Sequence, residues 1–598
     1  MAPEFFPFNA VRPVQKDCMQ LVRRCISEKN HLVMHAPTGL GKTAATLVPA
    51  IEYSLENSKT VFFLTSRNTQ HCIAVETVNL VKQKSGEQFT AVDILGRQWM
   101  CCFENAAFFS SSEFSNFCKS LREQGACTYF ENAREFKPQG LACMHAEQLI
   151  SFCAVRELCP FEIASKLAAK AAVIIADYHY LFHPSINKTF LARSKKKLED
   201  CIIIVDEAHN LPSRIRNTLS SRISTISLDR ASRESQRYAP SVEPYLRAVK
   251  TALLGLSGNI RGESLVQKDS LVRSVGSSGF FEEVLEELSL AGEAIREKQH
   301  LSFIARVADF LETWQGPDQS FVRILECLDS RVQLSYHCLD PSVAAGSVIK
   351  DSHCTVIMSG TLTPTFMYRD LLGFPKNTLE ASFQSPFPKE NLLAMIVPSV
   401  TTKYKSRNEA QFENIGRVCS DIIGLVPGNL AIFFPSYMLL EMIRPYLLSG
   451  KQLFVESSSQ TKADRRKLID SFCANSSKGG VLLGVSTGSF GEGIDLPGEL
   501  LNAVLVVGMP FASPDLEAKE LIKYFDQKFG KGWDYGYILP TIARTLQNAG
   551  RCIRSETDRG VVAYLDSRYT QYLRCFPPDA MPKLCTDYKK RIAEFFCK

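Results

Sequence analysis

At 598 residues the chain is too long for one hydrophobic core and implies about three to five domains. A hydrophobic share of 45% and a charged share of 22% are those of a soluble globular protein, and no apolar run of ~18 residues argues for a membrane span. The charge of +6 permits a polyanionic partner without requiring one.

The N-terminal Met-Ala-Pro-Glu-Phe-Phe-Pro-Phe has no basic region followed by an apolar one, so no secretory signal is expected and the thiols should be reduced. Short β-branched runs at His31 to Ala36, Thr60 to Thr65, Ala171 to Tyr178, Cys201 to Ala208 and Val356 to Thr361 are separated by helix-length segments. A second series follows at Asn429 to Tyr437, Gly480 to Phe490, Ala503 to Phe511 and Gly560 to Tyr569. The pattern predicts an α/β protein with two parallel-sheet lobes.

Two stretches interrupt the first lobe. Residues 97 to 165 hold seven of the twenty cysteines, all between 101 and 159, which points to a metal or iron–sulfur centre. Residues 215 to 345 are expected to be helical, with Phe281, Leu285, Leu288 and then Ile304, Val307, Leu311 on amphipathic faces. The expected boundaries are lobe one at 1–96, 166–214 and 346–368, the cysteine insertion at 97–165, the helical insertion at 215–345 and lobe two at 369–598. Between 211 and 250 eight basic residues face three acidic ones, a phosphate-facing or simply solvated surface.

The loop Ala36-Pro-Thr-Gly-Leu-Gly-Lys-Thr43 follows a predicted strand and opens a predicted helix, the setting of a phosphate-binding loop. Thr38, Gly39, Leu40 and Gly41 would wrap backbone amides around phosphate oxygens, Lys42 would reach the terminal phosphates, and the Thr43 hydroxyl would bind magnesium. Asp206 and Glu207 end another strand, where a parallel sheet presents its ligands. Asp206 would hold Mg2+ and Glu207 would polarise the attacking water of ATP hydrolysis. In the second lobe Gln547, Arg551 and Arg554 recur at helical spacing, so arginines could reach the γ-phosphate from across a cleft; a salt-bridged surface helix is the plainer alternative.

This ordered set resembles the iron–sulfur superfamily 2 helicases of the XPD type, a group with FancJ-like and DinG-like members. The resemblance implies RecA-like lobes and reads Arg12-Pro13-x-Gln15 as an adenine-sensing element, with Gln15 on the base. It makes Thr65-Ser66-Arg67 a DNA-backbone motif, Ser359-Gly360-Thr361-Leu362 a coupling motif and Phe434-Pro435-Ser436-Tyr437 a strand-gripping motif. Gly491-Glu492-Gly493-Ile494-Asp495 is similar to the nucleotide-coupling motif, placing Gly493 and Asp495 at the nucleotide. Gly96-Arg97-x-x-x-Cys101 and Cys159-Pro160-Phe161 match the outer ligands of a [4Fe-4S] cluster, with Cys118 and Cys127 between them. Cys143 and Cys153 stand as substitutes, and a structural zinc is the alternative metal.

By the same resemblance residues 215 to 345 form an arch over lobe one that admits a single strand. Tyr178, Tyr437, Phe511 and Trp533 are candidate base platforms, although aromatics are more often core. The implied protein is a monomeric 5′-to-3′ helicase acting on single-stranded, forked or bubble DNA in nucleotide excision repair, alongside repair proteins. Its expected place is cytoplasmic and nucleoid-associated in an archaeal cell or nuclear in a eukaryotic one, and a chain ending at Lys598 suggests the compact archaeal type. A damage-verifying or remodelling ATPase without processive unwinding is the alternative, and a redox-sensing DNA-binding protein a more distant one.

Overall fold

The computed structural model describes residues 5–109, 111–138, 140–258, 260–299, 302–328, 331–493, 501–511, 514–553 and 555–597. In chain order the strands are β1 Leu32–His35, β2 Thr60–Leu64, β3 Ala91–Ile94, β4 Val173–Ala176, β5 Cys201–Val205, β6 Ser221–Ser224, β7 Gly262–Leu265, β8 Phe321–Leu328 and β9 Arg331–Cys338. They continue as β10 Cys354–Ser359, β11 Leu379–Ser382, β12 Leu392–Ile396, β13 Leu430–Phe434, β14 Gln452–Val455, β15 Gly480–Val485, β16 Ala503–Val507, β17 Gly560–Leu565 and β18 Lys583–Leu584.

Lobe one is a parallel sheet ordered β11-β1-β10-β5-β2-β4-β3, and lobe two a parallel sheet ordered β14-β15-β13-β16-β17-β12-β18. Helices cover both faces of each sheet, so the strands read as unbroken apolar runs with every residue of β1, β2, β4 and β5 buried. Alternate residues feed separate cores: Phe62 and Val205 face one side, Val61 and Ile204 the other. The register pairs His35 with Ser359, Ile357 with Val205, and Val205 with Leu64. The carboxyl ends of β1, β10, β5 and β2 therefore finish side by side at one edge.

Residues 215 to 345, expected to be helical, also contain an antiparallel sheet ordered β6-β9-β8-β7. Its strands escape a helical reading because they are short or half-buried, with exposed Arg331 and partly exposed Gln333 interleaved between Val332 and Leu334. The expected amphipathic helices are present as Ser278–Gln299 and Phe303–Trp314. They bury Phe281, Leu288, Ile304, Val307 and Leu311 in a core shared with the sheet residue Leu334.

This unit bridges two neighbours. The helix Ser278–Gln299 packs on the helix Ser111–Glu123 of the cysteine-rich insertion. On the other side the lobe-two helix Leu516–Phe529 presents Tyr524 and Lys528, whose hydroxyl and ammonium donate to Asp340 at 2.7 and 2.6 Å. No described helix is long and apolar enough to cross a membrane.

Candidate nucleotide site and cysteine cleft

The loop between β1 and the helix Lys42–Asn57 turns at Gly39 and Gly41, both left-handed with φ of +86° and +77°. A Cβ at Gly39 would stand 2.0 Å from the Phe387 ring, and one at Gly41 would stand 2.3 Å from the Gln15 amide, so neither position admits a larger residue. Leu40 anchors the loop in the core while Thr38 and Gly41 are exposed. Lys42 and Thr43 open the helix, whose first amides and dipole favour an anion.

Ser359 ends β10 and Thr361 follows it beside this loop, and Asp206 and Glu207 follow β5. Glu207 adopts a left-handed turn at φ 49° that lifts its carboxylate to the sheet edge. Its Oε2 accepts from the Ser359 hydroxyl at 3.1 Å, and His209 Nδ1 lies 2.7 Å from the same hydroxyl and 3.3 Å from Oε2. The other nitrogen of His209 contacts the Gln547 carboxamide from lobe two. Burial and the adjacent Glu207 charge push the Asp206 carboxyl up, opposed by Lys42 and Arg67. Burial acts on Glu207 too, but the His209 hydrogen bond with Lys42 and Arg67 holds it below the usual carboxylate range. A cation at Asp206 would supply positive charge to this acidic pair.

Gln15 is only 6% exposed; its Oε1 accepts from Arg12 N at 3.4 Å and its Nε2 donates to the Gly41 carbonyl at 3.3 Å, so it rests on the phosphate loop with one N–H and one oxygen lone pair still unused. Arg12 donates to the Gly39 carbonyl and pairs through Nε with Glu556 of lobe two at 3.1 Å. Arg551 turns into its own lobe, donating from Nη2 to the Gly491 carbonyl at 2.6 Å. Gly493 ends the helix Ser489–Gly493. Asp495 and Arg554 lie outside the described residues.

Two family domains match this architecture, one described as DEAD_2 over residues 59–228 and one as a helicase C-terminal domain over residues 419–583. The chain is 22% identical to the general transcription and DNA repair factor IIH helicase subunit XPD/RAD3 of Saccharomyces cerevisiae, across 95% of this chain and 87% of that protein. It is 25% identical to a probable ATP-dependent helicase of Methanocaldococcus jannaschii, across 95% and 93%. The chain belongs to the XPD/Rad3-like family of ATP-dependent helicases. A solved structure titled XPD_Helicase has the same fold, with a TM-score of 0.70 at 20% identity over 99% of both chains.

In this XPD/Rad3-like helicase Ser66 and Arg67 follow β2, next to the acidic turn. Tyr178 was expected as a base platform, but it is 2% exposed, and its hydroxyl donates to the main-chain carbonyls of Asp206 and Glu207, the latter at 3.0 Å. It buttresses the acidic turn and offers no face to a base. In lobe two Ser436 caps the helix Tyr437–Ile443 through Leu439 N, and the Tyr437 hydroxyl donates to Glu456 at 3.1 Å. Glu456, which sequence reading missed, is a 1% exposed carboxylate also bound by the amides of Val485 and Phe490. Trp533 is 57% exposed and stands edge-on to Tyr537, which stacks on Phe511 at 4.8 Å.

Cys101, Cys118, Cys127 and Cys159 line one cleft together with Cys102, Arg97 and a wall of aromatic rings, whereas Cys143 and Cys153 lie outside it in the core. Cys127 and Cys159 sit at the first turns of the helices Thr128–Glu135 and Pro160–Lys170, and the Cys159 amide donates to Tyr129 O at 2.8 Å. Burial pushes Cys101 up to about 11 and Cys159 up to about 12, with the neighbouring thiols adding to each shift. A thiolate-binding metal group would supply the positive charge that favours deprotonation of thiols gathered in this way. Among the described residues no three His, Cys, Asp or Glu groups are gathered tightly enough for a single ion.

Proposed function

We propose that this protein is a 5′-to-3′ DNA helicase that translocates on single-stranded DNA by hydrolysing ATP and acts on forked or bubble substrates in nucleotide excision repair. The observation that carries the reading is the contact of His209 with Gln547, which joins the hydrolytic carboxylate of lobe one to the helix of lobe two. Hydrolysis and lobe position then share one hydrogen-bonded chain.

In this reading the amides of 38 to 43 and Lys42 neutralise the phosphates, and Thr43 with Asp206 would hold Mg2+. Glu207, kept ionised by His209, orients the attacking water and accepts its proton. Arg551 exchanges the Gly491 carbonyl for phosphate oxygens as the lobes close, so that hydrolysis depends on closure. Residues 97–165 and 215–345 are taken as the cluster and arch insertions. Cys101, Cys118, Cys127 and Cys159 would hold a [4Fe-4S] cluster, whose role is to staple an insertion otherwise poor in apolar mass. Ser66, Arg67, Ser436, Tyr437 and the exposed Trp533 would meet the DNA strand. The 5′-to-3′ direction and the repair role rest on the family resemblance and on the name of the yeast relative.

The test is strand displacement with forked duplexes carrying a single 5′ or a single 3′ tail. ATP-dependent opening of the 5′-tailed fork is expected; hydrolysis on single strands without opening of either fork would overturn the helicase reading in favour of an ATPase switch.

A further inference from the structure

Glu456, buried just past β14, takes no part in the hydrolysis described above, yet three donors converge on it. Its Oε2 accepts from the Val485 amide at 2.9 Å, while its Oε1 accepts from both the Phe490 amide at 3.3 Å and the Tyr437 hydroxyl at 3.1 Å. A carboxylate, with acceptors on both oxygens, satisfies this set; a carboxamide, with one, does not. The turn above it is fitted to the carboxylate, since a Cβ at Gly488 would stand 2.7 and 2.8 Å from its two oxygens.

The two groups that share Oε1 lead to different places. Tyr437, partly exposed at the start of the helix Tyr437–Ile443, belongs to the segment read above as gripping the strand. Phe490 lies in the helix Ser489–Gly493, whose Gly491 carbonyl accepts from Arg551 Nη2 at 2.6 Å. One carboxylate oxygen thus stands between a strand-facing hydroxyl and the carbonyl that holds the arginine. Two donors on one oxygen compete for it, and the longer bond from Phe490 is the weaker. When a strand phosphate takes the Tyr437 hydroxyl, Oε1 is left to Phe490 and that bond tightens. The short helix then shifts towards Glu456, and the Gly491 carbonyl loses its alignment with Arg551.

We propose that Glu456 is a positioning residue that couples strand binding to release of Arg551, by passing Oε1 from the Tyr437 hydroxyl to the Phe490 amide when a nucleic-acid phosphate claims that hydroxyl. The inference rests on the motor reading above, in which Tyr437 meets the strand and Arg551 the phosphates of ATP.

The test measures ATP hydrolysis by the full-length protein at saturating ATP, with and without oligodeoxythymidine. Tyr437→Phe keeps the ring and removes the competing donor, so it should imitate the strand-bound state: kcat without DNA should rise about threefold, and stimulation by DNA should shrink. A hydroxyl with a merely structural role gives an unchanged or lower kcat without DNA, and either result overturns the proposal. Glu456→Gln should lower the stimulation by DNA about tenfold, and in that background Tyr437→Phe should no longer raise kcat. Full stimulation in Glu456→Gln, or a rise that survives there, also overturns it. Amide hydrogen exchange gives a readout that needs no hydrolysis: without DNA or nucleotide, residues 485–493 should exchange about threefold more slowly in Tyr437→Phe than in the unmodified protein. Equal or faster exchange counts against the coupling. Failure of the unmodified protein to hydrolyse ATP would instead sink the motor reading, and the exchange measurement would still judge the shared oxygen.

Discussion

His209 and Gln547, 338 residues apart, touch across the cleft between the lobes, while the other ring nitrogen of His209 holds the Ser359 hydroxyl and lies beside Glu207. One imidazole thus spans the acidic turn, the β10 motif and the lobe-two helix. Replacing Gln547 by Ala should leave the KM for ATP nearly unchanged while lowering DNA-stimulated kcat by about three- to thirtyfold. Steady-state ATPase measured with and without single-stranded DNA checks this, and an equal loss in both conditions would mean that the contact is merely structural.

The cysteine cleft makes a discriminating expectation, because Cys101 and Cys102 are sequence neighbours that both line it. In anaerobically purified protein, broad absorption near ~400 nm should disappear in Cys101→Ser and Cys118→Ser and persist in Cys102→Ser. Stoichiometric zinc with no visible band would assign the cleft to a different metal.

His35 gives a pH signature. Burial, with a smaller push from Lys42, lowers its pKa from 6.5 to about 4 against the opposing influence of Asp579. A depressed pKa means that the folded state refuses a proton the unfolded chain accepts, so stability is full above pH 6.5 and falls as the pH drops towards about 4. Thermal unfolding at pH 7 and pH 5 should show a smaller difference for His35→Gln than for the unmodified protein. An identical difference in both would remove His35 as the source.

Asp93 is fully buried on β3 and joins the cysteine-rich insertion to lobe one, with His71 Nδ1 at 2.5 Å and the Ala146 amide at 2.9 Å. Asp93→Ala strands both partners without water and should cost about 2 to 4 kcal/mol. Limited proteolysis should then cut between residues 140 and 155 faster than in the unmodified protein, ahead of cleavage in lobe two.

Local patterns carried much of the molecule. The apolar runs that became β1, β2, β4, β5, β10, β13, β15, β16 and β17 are fully buried strands, whose composition alone marks them, and the loop 36–43 and the pair Asp206-Glu207 announce their chemistry in adjacent residues. Strands exposed on a face or lying at an edge were missed, as with β7, β8, β9, β11 and β14, because their polar residues dilute the signal. Tyr178 was misread for a related reason: an aromatic has the same letter whether it faces a ligand or satisfies a buried carbonyl.

The sequence by itself determined the two-lobed parallel architecture, the phosphate loop and the acidic pair, because each depends on residues close along the chain. Only the tertiary structure decided that His209 meets Gln547, that five of the clustered thiols share a cleft while Cys143 and Cys153 do not, and that a cavity lies beside Phe387. Those are contacts between segments tens to hundreds of residues apart, set by strand order and lobe packing, and one-dimensional spacing carries no record of them.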